Sequence, residues 1–128
     1  VPERLLLDTD VLIDYLRGNA NAIIYLENQA AHLQVAAITV AELCAGVRDG
    51  EERAKLDAFV SAFEIISTTK EIALKGGLYR RDYGKSHGTG LADALIAATA
   101  ELSQATFVTM NRKHFPMLPT VITPYQRG

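Results

Sequence analysis

The sequence predicts one α/β domain over residues 1–128, three layers deep, with a mostly parallel central sheet held between helices. Two observations predict it. Short, continuous apolar runs alternate along the chain with stretches whose apolar residues recur at helical spacing, and strands alternating with helices build a parallel sheet covered on both faces. The 128 residues are 48% apolar and 22% charged, which suffices for one hydrophobic core and leaves no room for a second.

The elements follow in order. Leu5, Leu6 and Leu7 run directly into Asp8 and read as a buried central strand. Val11, Leu12, Tyr15 and Leu16 share one helix face, closed by Gly18. A second helix is expected over 20–30 and a second strand over 33–38. Thr39 is expected to open the next helix, with Leu43 and Val47 along it and Gly46 and Gly50 near its end. Residues 53–63 are amphipathic through Leu56, Phe59, Val60 and Phe63. A short strand over 64–67 leads to a polar helix over 70–85 that tolerates Gly76 and Gly77. A loop over 87–90 precedes a helix over 91–102, alanine-rich and apolar nearly all round, hence buried. Strands over 106–109 and 121–123 complete the sheet, and Pro116, Pro119 and Pro124 punctuate the tail.

Charge and composition restrict the function. A net charge of −2 argues against nucleic-acid binding through bulk positive charge, although an acidic site conceals a basic rim in such a sum. The single cysteine, Cys44, rules out an intrachain disulfide and a multi-cysteine zinc site, and is expected to be a buried small hydrophobe. The opening apolar run is too short for a signal peptide, and no stretch approaches the roughly 20 apolar residues of a membrane span. The expected location is therefore cytoplasmic. Glycine-rich dinucleotide and phosphate-loop fingerprints are absent.

Three carboxylates stand in apolar surroundings: Asp8 at the end of the first strand, Glu42 in the first turn of the helix after the second, and Asp93 near the start of the alanine-rich helix. Each alone has a structural explanation. Asp8 can cap a helix, Thr39 to Glu42 matches a capping box, and Asp93 complements a helix dipole. Together they converge on the expected carboxyl edge of one sheet, where α/β folds bind ligands. Buried charges need compensation. A hard divalent cation, Mg2+ or Mn2+, supplies it to all three at once.

Four blocks then resemble the PIN-domain family, specifically its VapC-like toxin ribonucleases. LLLDTDVLIDYLRG is similar to the family's opening, ITVAELCAG to its second block, LADALIAATA to its third and FVTMNRKHF to its fourth. They occur in family order over nearly the whole chain. The resemblance implies a Rossmann-like PIN fold, a metal-dependent phosphodiesterase acting on RNA, a homodimer, and neutralisation by a cognate VapB-like antitoxin laid across a groove. By motif position, Asp8, Glu42 and Asp93 are the family's acidic residues, with Asp8 and Asp93 the foremost metal ligands. The chain departs from the pattern at Asp10, where Asn or Ser is usual, and at Asn111 and His114, where many members carry Asp. The fourth carboxylate is thus missing, and Asp10 is a candidate to replace its charge.

On this basis Asp8, Glu42 and Asp93 would hold the ion, which lowers the pKa of a coordinated water for in-line attack on phosphorus. Thr109 and Asn111 would orient water or phosphate. Lys75, Arg80, Arg81, Lys85, Arg112 and Lys113 are candidate phosphate contacts. Tyr79 and Tyr83 fit core or dimer packing better than base stacking. His87 and His114 are expected to be solvent-exposed spectators, and Leu26, Leu56 and Phe59 to pack in the core. Two other functions remain open. One is a PIN-like RNA-binding module with weak or lost catalysis, suggested by the missing carboxylate. The other is a phosphatase built on Asp8-Thr9-Asp10, for which no later aspartate follows Asp93.

Overall fold

The computed structural model describes residues 3–126. In chain order it forms β1 (Arg4–Leu7), α1 (Thr9–Leu16), α2 (Ala20–Glu27), β2 (His32–Ala36), α3 (Ala37–Ala45), α4 (Glu51–Val60), β3 (Glu64–Ile66), α5 (Lys70–His87), α6 (Leu91–Leu102), β4 (Thr106–Val108), a 3₁₀ turn (Arg112–His114) and β5 (Val121–Ile122). The strands form one parallel sheet in the order β3-β2-β1-β4-β5.

Strand periodicity separates the two cores. Leu5 and Leu7 face one way, packing with Val11, Leu12, Leu26, Leu43 and Leu56 of α1 to α4. Leu6 faces the other way, onto Ile96, Ala97 and Ala100 of α6, with Phe107, Phe115 and Val121. Successive side chains of a strand point to opposite faces, so a continuous apolar run is the signature of a strand covered twice. The alanines of α6 bring that helix close against the sheet, and α5 packs outside it. Gly76 makes the second approach feasible: a Cβ there would stand 2.7 Å from Leu95 Cδ2 and 3.1 Å from Leu95 Cα.

Boundaries differ from expectation for local reasons. α2 ends at Glu27 rather than 30, because the side chains of Asn28 and Gln29 donate to the carbonyls of Ile24 and Tyr25 and close the helix. The second strand stops at Ala36, and α3 begins at Ala37 with Ala36 as its N-cap. Thr39 is therefore inside the helix, and Glu42 lies in its second turn, not its first. α4 starts two residues earlier than its amphipathic pattern and ends before Phe63. α5 runs on to His87 and is closed by Gly88, whose φ of +66° is left-handed. Cys44 is exposed rather than buried, since it falls on the outer side of α3.

Candidate active site

The chain visits β1, β2 and β3 in one direction, then returns to place β4 on the other side of β1. The carboxyl ends of β1 and β4 thus flank the switch point of the sheet, where α/β folds open a crevice. Asp8 follows β1 and Thr109 follows β4 at that point. α6 runs back against the strands to feed β4, so its N-terminal turn, with Asp93, lies at the same edge.

Asp8 is 5% exposed. Its Oδ1 accepts the backbone N–H of Thr9 at 2.8 Å, capping α1, and its Oδ2 accepts the Thr109 hydroxyl at 2.6 Å. Burial pushes its carboxyl up to about 8, with Asp10 and Asp93 adding to the rise and the Thr109 and Thr9 hydrogen bonds opposing it. Among the described residues, no cation acts on Asp8. Asp10 reaches across the switch point, its Oδ2 accepting the Met110 N–H at 3.2 Å.

Asp93 is the third residue of α6. Its Oδ2 accepts the Gly90 N–H at 3.3 Å and stands 3.5 Å from His114 Nδ1. The structural role weighed for Asp93 and the chemical one therefore coexist, as they do for Asp8. Glu42 is tied in indirectly. Thr9 Oγ1 donates to Glu42 Oε1 at 2.6 Å and stands 3.0 Å from the hydroxyl of buried Thr39. Thr39 thus joins α1 to α3 instead of capping its own helix. Among the described residues, no three His, Cys, Asp or Glu side chains form a metal-binding group. The aspartates acting on Asp8 are Asp10 and Asp93, and Glu42 is linked to them through Thr9.

The end of β4 supplies the remaining polar groups. The Asn111 N–H donates to Thr109 Oγ1 at 2.9 Å, and Asn111 Nδ2 lies 3.2 Å from His114 Nδ1. His114 is therefore half-buried within the site and not a solvent-exposed spectator. Sequence reasoning missed Thr9 and gave Thr39 the role of a helix cap, where the structure has it bonded to Thr9; the signal was a pair of hydroxyls in otherwise apolar helix starts. The basic helix is half committed: Lys75 pairs with Glu101 and Arg81 with Asp82, while Arg80 is exposed with no ion pair among the described residues. Tyr79 donates to Glu101 and packs on the core. Lys85, Arg112 and Lys113 are exposed and form no ion pair among the described residues. Leu26 and Leu56 are buried, and Phe59 stacks on Tyr15.

The model of the PIN domain family matches residues 5–117. The chain belongs to the PIN-domain family. It is 40% identical over 124 residues to ribonuclease VapC19 of Mycobacterium tuberculosis, covering 94% of this chain and 98% of that protein. Among solved structures, it resembles a toxin–antitoxin complex from Klebsiella pneumoniae with a TM-score of 0.83 and 31% identity, covering 96% of this chain and 99% of that one. It also resembles VapBC2 from Rickettsia felis bound to a promoter DNA fragment, with a TM-score of 0.76 and 27% identity, over 93% of this chain and 97% of the other.

The donor chemistry of this PIN domain fits a hard divalent cation. Its edge offers carboxylate and hydroxyl oxygens, and burial and like charges raise Asp8. Magnesium characteristically uses one or two carboxylates and keeps several waters, a need that two carboxylates of this edge would fit without a third protein ligand.

Proposed function

We propose that this chain is a divalent-metal-dependent endoribonuclease and the toxin of a VapB–VapC-type pair, using Mg2+ or Mn2+. The carrying observation is Asp8: a carboxylate buried at the sheet's switch point and acted on, among the described residues, by two more aspartates and by no cation. Folding around such a group is unfavourable unless something positive compensates it.

A bound divalent cation supplies Lewis-acid polarisation of the phosphate and an activated water. The chain's own residues supply the frame. Asp8 and Asp93 would hold the cation from two different elements, so the fold fixes their separation. Thr109 holds Asp8 Oδ2, and Thr9 holds both Asp8 Oδ1 and, through its hydroxyl, Glu42. Glu42 is exposed, unlike the buried Asp8, and would hold an outer water or a second ion. Asn111, braced on Thr109 by its N–H, orients water or a phosphate oxygen. Arg112 and Lys113 follow directly and neutralise RNA phosphates, which makes binding sensitive to salt.

The similarity to VapC ribonucleases and to toxin–antitoxin complexes supports RNA as substrate and a VapB-like antitoxin as partner. A groove of about 950 Å³ beside Glu42 suits the antitoxin. Ile13, Leu16, Leu43, Val47 and Leu56 give it apolar contact, and Arg17, Arg48, Lys55, Glu51 and Glu52 give it charge. Such a surface takes an amphipathic segment. A homodimer in the cytoplasm completes the proposal. No described helix is long and apolar enough to cross a membrane.

The test is cleavage of a single-stranded RNA by purified protein with Mg2+, with Mn2+, or with EDTA. Cleavage in either metal that EDTA abolishes is expected. RNA binding with no metal-stimulated cleavage, in a preparation free of contaminating nuclease, would overturn the enzymatic proposal in favour of a binding module.

A further inference from the structure

His114 is held from several sides. Its neighbour Phe115 is buried against Phe107, with ring centroids 4.5 Å apart. Its carbonyl accepts the hydroxyl of buried Thr89 at 2.7 Å, which fastens the α5–α6 loop to the 3₁₀ turn. Gly88, left-handed at φ +66°, lies beside the ring: a Cβ there would stand 3.6 Å from Nε2 and 3.8 Å from Cδ2. So anchored, the ring directs Nδ1 to within 3.5 Å of Asp93 Oδ2 and 3.2 Å of the Asn111 amide. The Gly90 N–H meets the same Asp93 oxygen, Oδ2, at 3.3 Å. Both contacts fall on one carboxylate oxygen, and neither falls on Oδ1.

We propose that His114, clamped by Thr89 and Phe115, is a positioning residue for Asp93: its ring, with Nδ1 3.5 Å from Oδ2, and the Gly90 N–H, which donates to the same oxygen, together hold Oδ2 so that Oδ1 is presented to the divalent cation. Asn111 shares the Nδ1 contact, its amide nitrogen 3.2 Å away, and braces the ring. The pair Asn111 and His114 thus orients a ligand carboxylate where many family members carry a further carboxylate, a device whose loss typically costs 10- to 100-fold in metal affinity or activity.

The inference rests on the proposed metal-dependent cleavage, and the experiment separates the two. Mn2+ affinity is measured by paramagnetic resonance on the full chain without RNA, for wild type, His114→Leu, His114→Asn and Asp93→Asn, with thermal melts and RNA kinetics alongside. His114→Leu is expected to weaken Mn2+ binding by about 10-fold or more and to lower kcat, with KM for RNA changed less than about two-fold. His114→Asn keeps an N–H near the place of Nδ1 and should recover affinity to within about three-fold of wild type. If His114→Leu binds Mn2+ as wild type does while Asp93→Asn does not, the positioning role is wrong and the metal site stands. Equal losses in His114→Leu and His114→Asn that track a lowered melting temperature also overturn it, leaving a purely structural histidine. Should Asp93→Asn itself retain Mn2+ binding and cleavage, Asp93 is not a ligand and this inference fails while the proposed function stands; a wild type with no metal-stimulated cleavage is what fails the proposed function.

Discussion

Two carboxylates in this molecule meet burial in opposite ways. Glu101, near the end of α6, is pushed up by burial, but hydrogen bonds from Lys75 and Tyr79 and the Lys75 charge outweigh that and hold it below its usual range. Asp8, between β1 and α1, is pushed up by burial and then further by Asp10 and Asp93, to about 8. At Glu101 the chain carries its own counter-charge, so the site is complete as folded. At Asp8 the chain gathers more negative charge instead. The difference marks a site for a ligand of opposite sign: sequences seldom retain a buried like-charge cluster unless something outside the chain neutralises it.

The comparison breaks most directly through activity. Asp8→Asn is expected to lower metal-stimulated RNA cleavage by at least about 10³-fold, on the order of 4 kcal/mol, with the fold intact by circular dichroism. Glu101→Gln should leave the same rate within about three-fold, a difference too small to implicate the chemistry. Equal losses in both variants would erase the distinction between the two sites. Next in size is Thr109→Val, which removes the hydroxyl holding Asp8 Oδ2. The expected loss is roughly 10-fold in kcat, about 1.4 kcal/mol, the scale of a hydrogen bond to a charged group.

Stability sharpens the same contrast. The folded value of Asp8, about 8, lies above its unfolded 3.8. Between the two, the unfolded chain has released its proton and the folded chain has not. The stability tied to this group is therefore fully present below the lower value and is lost as pH rises through the upper one. Thermal melts in EDTA should show wild type losing stability from pH 5 to pH 8, Asp8→Asn losing less, and Mn2+ restoring wild type at pH 8. Glu101 carries the opposite sign: its lowered value contributes stability above its unfolded 4.5 that is lost on acidification. Glu101→Gln is expected to have the smallest effect, about 1 kcal/mol in urea melts at pH 7. The Lys75 pair is partly exposed and screened, and the Tyr79 hydroxyl retains a neutral acceptor.

Much of this was legible in the chain. The apolar run at 5–7 predicted a strand buried on both faces, and the alanine-rich stretch at 91–102 predicted the helix that packs on it, because periodicity and side-chain size are local properties. The blocks around Asp8, Glu42, Asp93 and Asn111 identified the family for the same reason. What periodicity missed lay where two elements meet. Ala36 and Ala37 look like strand residues, yet the helix begins there, since Thr39 bonds to Thr9 on another helix rather than to its own backbone. His114 read as a surface residue because nothing nearby in sequence shows that Thr89 and Asp93, more than twenty positions earlier, close around it.

The sequence by itself determined which segments become strands and helices and which residue types are available to hold a cation, because both follow from neighbours along the chain. Only the tertiary structure decided that Asp10 and Asp93 act on Asp8, that Glu42 joins Asp8 through a threonine, and that Glu101 is neutralised while Asp8, among the described residues, is not. Those outcomes depend on distances between residues as far apart in the chain as Asp8 and Asp93. The order of strands across the sheet sets such distances, and no local pattern encodes it.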